Sequence, residues 1–187
     1  METKSNHNTS THFNLIARIL HWLMALAILA MLFIGVGMTT SLSWRPWLID
    51  LHRPLGIAIL LLAILRLINR IYSPIPPLPS TVPRWQAFLA HLSHWVLYAL
   101  MIVLPLLGWA MLSAGNWPVT LVHGWDLPPI APNNPIFYAW LHSIHCVLAW
   151  LLFIVVLGHL SAALLHALIY RDGVFSSMSF MKNKKNK

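Results

Sequence analysis

Charged side chains are scarce in this chain, and acidic ones are the scarcest. Only 9% of its 187 residues are charged, and four of them are Asp or Glu, whereas 58% are hydrophobic. A soluble domain carries about 25% charged residues, so this composition excludes a soluble protein and indicates one that lies in a membrane. The single cysteine, Cys146, excludes an internal disulfide and a metal cluster held by several thiolates.

Long uncharged stretches are present instead. No Asp, Glu, Lys or Arg occurs in residues 19–44, 85–125 and 127–170, and a helix that crosses the bilayer core needs about 20 apolar residues. A further stretch, residues 51–72, is interrupted by Arg53, Arg66 and Arg70. The sequence therefore predicts an all-α, four-helix transmembrane bundle that forms a single integral membrane domain over 1–187. We expect the helices near 15–38, 51–72, 88–112 and 141–169, with a tail at 171–187.

Lysine and arginine predict the orientation, because they concentrate in cytoplasmic segments. Arg45 and Arg53 fall on one side of the predicted membrane. The other ten fall on the opposite side: Lys4, Arg18, Arg66, Arg70, Arg84, Arg171, Lys182, Lys184, Lys185 and Lys187. Both termini should therefore be cytoplasmic. The net charge of +8 is then explained by a basic rim beside anionic membrane lipid, and it requires no nucleic acid.

Four histidines lie in or beside the apolar stretches: His21, His52, His145 and His159. The last two are separated by 14 residues, which in a helix gives about 21 Å of rise and a rotation about 40° short of four turns. They should project from nearly the same face at two depths of the bilayer. An ionisable residue inside a span is a candidate functional residue. Two depths on one face indicate two stacked metal centres, each completed by an imidazole from a facing helix.

The alternating path of the helices decides which histidines can meet. His52 and His145 both fall toward the outer side, whereas His21 and His159 both fall toward the inner side. Two neutral imidazoles on one axis ligate a b-type haem that transfers electrons and does not bind O2. The spacing therefore predicts two b haems. The sequence has no Cys-x-x-Cys-His stretch, which excludes covalent c-type attachment.

Other residues fit the same register. Arg66 follows His52 by 14 residues, which places a cation at the inner depth, where a haem propionate would neutralise it. Three glycines at matching positions would leave room for a flat macrocycle: Gly35, Gly56 and Gly108. On the outer side, Arg53 and His142, together with Arg45 and His123, could form a cationic edge for a quinone or an anionic substrate.

Other interpretations of the histidines remain open. His142 with His145, or His91 with His94, could contribute to a zinc or copper site, although no carboxylate stands near either pair in the sequence. A non-redox metal-ion transporter built on histidine is the corresponding functional alternative. His166 is expected near the inner surface, beside a propionate or a lipid headgroup. The remaining histidines are expected to be solvated or interfacial: His7, His12 and His123.

The motifs around these residues resemble the bacterial cytochrome b561 family, whose best-known activity is superoxide oxidase. The resemblance covers nearly the whole chain and is carried by R-I-L-H-W at 18–22, L-H-R-P-L-G-I at 51–57, R-L-I-N-R at 66–70, A-H-L-S-H-W-V-L-Y at 90–98, L-P-L-L-G at 104–108, L-G-H at 157–159 and Y-R-D-G at 170–173. It implies that His21, His52, His145 and His159 bind two b haems and that ubiquinone accepts electrons. It also implies the bacterial inner membrane. The chain departs from the family at His142 and in its Trp- and Pro-rich outer loop.

We therefore expect a transmembrane one-electron conduit. It would oxidise a periplasmic donor such as superoxide and reduce ubiquinone, which would make it a superoxide:quinone oxidoreductase. The alternative is a cytochrome b subunit that serves a periplasmic or membrane redox protein.

Overall fold

The computed structural model of the chain describes residues 12–74, 76–79, 81–122 and 125–180. Long helices dominate this part of the chain: α1 (Leu15–Thr40), α2 (Arg45–Tyr72), α3 (Arg84–Ala114) and α4 (Pro135–Leu165). All four are long and apolar enough to cross a membrane. The predicted helical membrane protein with four spans is confirmed.

Two helices begin six residues earlier than the sequence prediction placed them. α2 begins at Arg45, before position 51, with Pro46 in its first turn. α4 begins at Pro135, before position 141, and is capped by Asn134, whose side chain accepts hydrogen bonds of 2.9 and 3.0 Å from the next two backbone N–H groups after the proline. Proline is favoured at the first helical position and asparagine at the cap. The prediction followed hydropathy and missed these start signals.

The connections contain one feature that the sequence analysis did not predict. The described residues of the proline-rich link 73–83 form neither helix nor strand, as predicted. Between α3 and α4, β1 (Val119–Val122) pairs antiparallel with β2 (Trp125–Leu127). The side chain of Thr120 donates a hydrogen bond of 2.6 Å to Asp126 across this hairpin. The sequence analysis had identified this segment only as a Trp- and Pro-rich outer loop.

The chain beyond α4 turns back onto α1. α4 continues into a π-helical turn (His166–Tyr170), and a short helix, α5 (Val174–Met178), follows Gly173, whose φ of 89° favours glycine. The indole of Trp22 donates a hydrogen bond of 3.0 Å to the Met178 carbonyl. This contact places the start of α1 and the end of α4 at the same end of the bundle. We call this end of the bundle the terminal end. The opposite end carries the hairpin, and we call it the loop end.

The helices pack in sequence order: α1 on α2, α2 on α3 and α3 on α4. The larger core cluster joins α1, α2 and α3 and consists of Met24, Ile28, Ile59, Ala63, Tyr98 and Met101. A smaller cluster joins α3 to α4 through Leu100, Leu104 and Leu152. Many other large apolar side chains are exposed, as expected for a surface that faces lipid. Within the described residues, α4 makes no extensive backbone contact with α1 or α2.

The basic residues Lys4, Lys182, Lys184, Lys185 and Lys187, and the histidines His7 and His123, lie outside the described residues. The orientation prediction therefore stays a prediction.

Candidate functional site

At the loop end, α2 and α4 face each other through two histidines. The ring centroids of His52 and His145 are 6.1 Å apart, and the ring planes are inclined by 65°. The Nδ1 atoms of both rings are buried and have no hydrogen-bond partner. Buried polar atoms in proteins are nearly always paired. The backbone of Leu104 also interacts with His145, so the Nδ1 of His52 is the atom of this pair for which the polypeptide supplies no partner.

At the terminal end, three imidazoles come together. His21 of α1 and His159 of α4 have ring centroids 6.4 Å apart and planes inclined by 73°. His94 of α3 also approaches His159, with centroids 5.5 Å apart and planes inclined by 64°. The sequence analysis predicted the first pair and missed the third ring, because spacing within α3 does not fix the depth of that helix relative to α4.

The separations fit a metal ion between the rings of each predicted pair. An imidazole nitrogen binds a first-row metal at about 2.0–2.1 Å, and the ring centroid lies about 1.1 Å farther out, so two axial imidazoles have centroids about 6.2 Å apart. The 6.1 Å of His52–His145 and the 6.4 Å of His21–His159 match this value. The 5.5 Å of His94–His159 is shorter. The residues present therefore fit two b haems, each with two axial histidines.

The three predicted glycines differ in the space around them. A β-carbon built on Gly35 would have no neighbouring atom within 4 Å, and on Gly56 it would meet only the Met31 methyl at 3.8 Å. Gly108 is different, because its β-carbon would lie 3.4 Å from Cε1 of His145. Gly35 thus borders open space, Gly56 leaves only enough room for an ordinary van der Waals contact, and Gly108 packs against a candidate ligand.

Arg66 lies inside the bundle at the level of the terminal-end histidines. Its Nε donates a hydrogen bond of 3.0 Å to the hydroxyl of Tyr98, and its Nη1 is buried without a partner. The guanidinium interacts electrostatically with His21, His94 and His159. The side chain is therefore held by contacts within the protein. The sequence analysis did not identify Tyr98 as the partner of Arg66, although a buried arginine in a membrane span requires a polar partner.

Cationic groups adjoin the loop-end pair. Arg45 and Arg53 line one cleft, together with Asp50. The Nε of Arg53 is buried without a hydrogen-bond partner, and its charge acts on the neighbouring His52. The exposed ring of His142 acts similarly on His145. The predicted outer edge thus adjoins the loop-end pair, apart from His123, which lies outside the described residues.

His142 has its own contacts away from the pair. Its ring lies against the ring of Tyr138, with centroids 6.0 Å apart, and 3.9 Å from the sulfur of Cys146.

The structure does not assemble the alternative metal sites. In the part of the chain that it describes, no group of three or more His, Cys, Asp or Glu side chains is placed to hold a metal ion. His91 is exposed, whereas His94 turns toward His159, so these two do not converge on one point. His166 pairs with Asp172 at 2.6 Å. This carboxylate occupies the position at which a propionate or a headgroup was expected.

Comparison with known proteins decides the family. The model of the family described as prokaryotic cytochrome b561 matches residues 12–181. The chain belongs to this family. It is 32% identical to the probable superoxide oxidase CybB of Yersinia pestis over 162 residues, which cover 85% of this chain and 90% of that protein. It is 27% identical to cytochrome b561 homolog 2 of Escherichia coli K12 over 175 residues, covering 91% and 93% of the two chains.

Membership confirms the coarser part of the sequence prediction. This cytochrome b561 is a membrane electron-transfer protein of a haem b family. A third relative, cytochrome b561 homolog 1 of Escherichia coli K12, is 30% identical over 144 residues, which cover 76% of this chain and 78% of that protein.

Proposed function

We propose that this cytochrome b561 holds two b haems, one between His52 and His145 and the other between His21 and His159. It carries electrons from a donor at the loop end to ubiquinone, as a multi-pass protein of the bacterial inner membrane. The termini are cytoplasmic and the loop end is periplasmic. The observation that carries this proposal is the pair of imidazole couples with centroids 6.1 and 6.4 Å apart, about 21 Å from each other along α4.

Each histidine pair would hold one b haem, and the bound haem would supply one-electron transfer. The chain positions its ligands on long helices, which hold an imidazole more rigidly than a loop would. α4 provides one ligand at each depth, and α2 and α1 provide the opposite ones. Arg66 offers an unpaired buried guanidinium nitrogen at the terminal end, where it would bind a haem propionate.

The loop end is suited to an anionic one-electron donor, and superoxide is the one we propose. Arg45 and Arg53 line the cleft there, and cationic clefts raise association rates of anions by roughly 10–10³. Two superoxide ions each lose one electron and leave as O2. One ubiquinone takes up the two electrons and two protons and becomes ubiquinol. The relative named as a probable superoxide oxidase supports this choice. His142 adjoins the same edge and could carry a proton or a charge.

Haem content and quinone reduction test the proposal. We expect purified protein to contain two haem b per chain, both low-spin, by pyridine haemochrome and by reduced-minus-oxidised spectra. A superoxide generator should then drive formation of ubiquinol from a ubiquinone analogue. Arg53→Gln should slow the rate about tenfold at low salt, whereas Arg84→Gln, at the exposed first residue of α3, should not.

Two results would overturn different parts of the proposal. One haem per chain, or none, contradicts the pairing of the four histidines. Two haems that superoxide does not reduce contradict the donor, and they would favour a cytochrome subunit that receives electrons from a protein partner.

A further inference from the structure

Two arginines of α2 converge on one buried tyrosine at the terminal end. Arg66 donates to the Tyr98 hydroxyl, and its guanidinium carbon lies 6.0 Å from the centre of the Tyr98 ring. The guanidinium carbon of Arg70 lies 5.9 Å from the same ring centre. Tyr98 is only 6% exposed. Residues four apart on a helix share a face, so two positive charges lie beside each other around one aromatic ring.

No carboxylate in the described part of the chain neutralises these charges. Asp172 pairs with His166, Asp126 accepts from Thr120 in the hairpin, and Asp50 lines the loop-end cleft. Meanwhile Nη1 of Arg66 is buried without a hydrogen-bond partner. An uncompensated buried cation is costly in a protein interior, and more so in a bilayer. The arrangement therefore calls for an anion from outside the polypeptide.

A cavity with a suitable set of donors lies at these arginines. Besides Arg66 and Arg70 it is lined by Asn14, Asn69 and Ser73. The Asn14 amide donates 2.7 Å to the Ser73 hydroxyl and 3.3 Å to the Asn69 carbonyl oxygen. The Ser73 hydroxyl donates 3.3 Å to the Asn69 carbonyl oxygen, and the Asn69 amide donates 3.5 Å to the Asn14 carbonyl oxygen. These groups therefore hold one another in place, and the two guanidinium groups are the main donors left for a phosphate oxygen. Asn14 also caps the amino end of α1, and the dipole of that 26-residue helix favours a negative charge there.

The position of the cavity distinguishes between sources of an anion. Asn14 caps the start of α1 and Ser73 follows the end of α2, so the cavity lies at the ends of two candidate membrane spans. The ends of a spanning helix lie at the level of the lipid headgroups. Phe13 and Met178 add apolar wall beside it. α4, which carries His159, contributes no lining residue. We propose that this cavity binds the phosphate group of an anionic membrane phospholipid. The proposal shares Arg66 with the haem arrangement proposed above, whereas Arg70, Asn69 and Ser73 have no part in that arrangement.

Retention of lipid by the full-length, haem-loaded protein tests this. Native mass spectrometry in detergent would follow titrations with phosphatidylglycerol and with phosphatidylcholine, which carries an added cation. We expect one phosphatidylglycerol to be retained per chain, about tenfold more tightly than phosphatidylcholine. Arg70→Gln should weaken the binding of phosphatidylglycerol to the protein about tenfold. Arg84→Gln removes the same charge from an exposed site and should leave retention unchanged.

Further measurements separate the alternatives. Ser73→Ala keeps both arginines and should reduce the retention of phosphatidylglycerol by less than Arg70→Gln does. This second variant keeps the test valid if the Arg70 variant does not fold. Excess inorganic phosphate should not displace the lipid; displacement would show a site for a free anion and overturn the proposal. Equal weakening by Arg84→Gln would show only general surface attraction. If Arg70→Gln changes the terminal-end haem potential and leaves lipid retention intact, the cavity serves a haem carboxylate, and the proposal is wrong.

Discussion

Gly108 of α3 faces the imidazole of His145 of α4 so closely that a β-carbon on the glycine would lie 3.4 Å from Cε1 of the ring. α3 provides neither histidine of the loop-end pair, yet its backbone forms the surface against which one of them rests. A single methyl group would just reach van der Waals contact with the ring, so any side chain larger than that of alanine would press on it. The orientation of His145 therefore depends on α3, whose Leu104 backbone also interacts with the histidine.

Gly108→Val should disturb the loop-end haem selectively. The added methyl groups would press on the ring of His145, and overpacking of this kind costs about 1–3 kcal/mol. We expect loss or a shifted potential of that haem, seen by haem content and redox titration, with the other haem unchanged. Leu106→Val, at an exposed position on the same helix, is the control. Unchanged spectra for the glycine variant would contradict the contact.

Substitution of a single candidate ligand should remove only the haem at the same end of the bundle as that histidine. His52→Ala and His145→Ala should each remove the loop-end haem, and His21→Ala and His159→Ala the terminal-end haem, because each haem has lost one axial nitrogen. Haem content and low-temperature spectra would distinguish the two. His91→Ala and His142→Ala should retain both haems, since both rings are exposed. Loss of the same haem from His21→Ala and His145→Ala would show that the pairs are wrong.

His94 permits a sharper test of the terminal-end pair. Its ring centroid is 5.5 Å from that of His159, whereas His21 lies at 6.4 Å, nearer to the separation that an intervening iron requires. We therefore expect His94→Ala to retain two haems per chain and to shift the potential of the terminal-end haem. If this variant loses that haem while His21→Ala keeps it, His94 is the ligand.

Arg66→Leu should lower the reduction potential of the terminal-end haem more than that of the loop-end haem. Reduction adds negative charge, so a nearby cation favours the reduced form, and the bilayer screens it poorly. We expect a shift of roughly tens of millivolts, where about 59 mV corresponds to a tenfold change for one electron. Tyr98→Phe removes only the hydrogen bond and should shift less. A potentiometric titration would measure both reduction potentials. Equal shifts of the two would show that Arg66 does not act specifically on the terminal-end haem.

Periodicity and charge predicted the parts of this structure that depend on a single helix. His145 and His159 share one helix, so their relative position follows from the helical rise and rotation over 14 residues. The bilayer then limited which histidines of other helices could reach them, and this predicted the facing pairs at 6.1 and 6.4 Å. Hydropathy located the spans but not their ends, which depend on capping at Asn134 and on Pro46.

What the sequence did not predict depends on the relative depth of different helices. His94 reaches His159, and Tyr98 reaches Arg66, only because α3 lies at a particular height beside α2 and α4. No spacing within one helix encodes that height. The hairpin was missed for another reason, since strands of four and three residues among prolines carry too short a pattern to be recognised.

α4 packs extensively against only one of the other long helices in the described structure, α3, yet it carries one histidine of each facing pair. It therefore acts as a single rigid body to which both proposed redox centres are attached. Any tilt or axial slide of α4 would alter the two ligand geometries together. The two proposed centres are therefore mechanically coupled through this helix. A displacement of either end of α4 would change the position of a histidine at both centres.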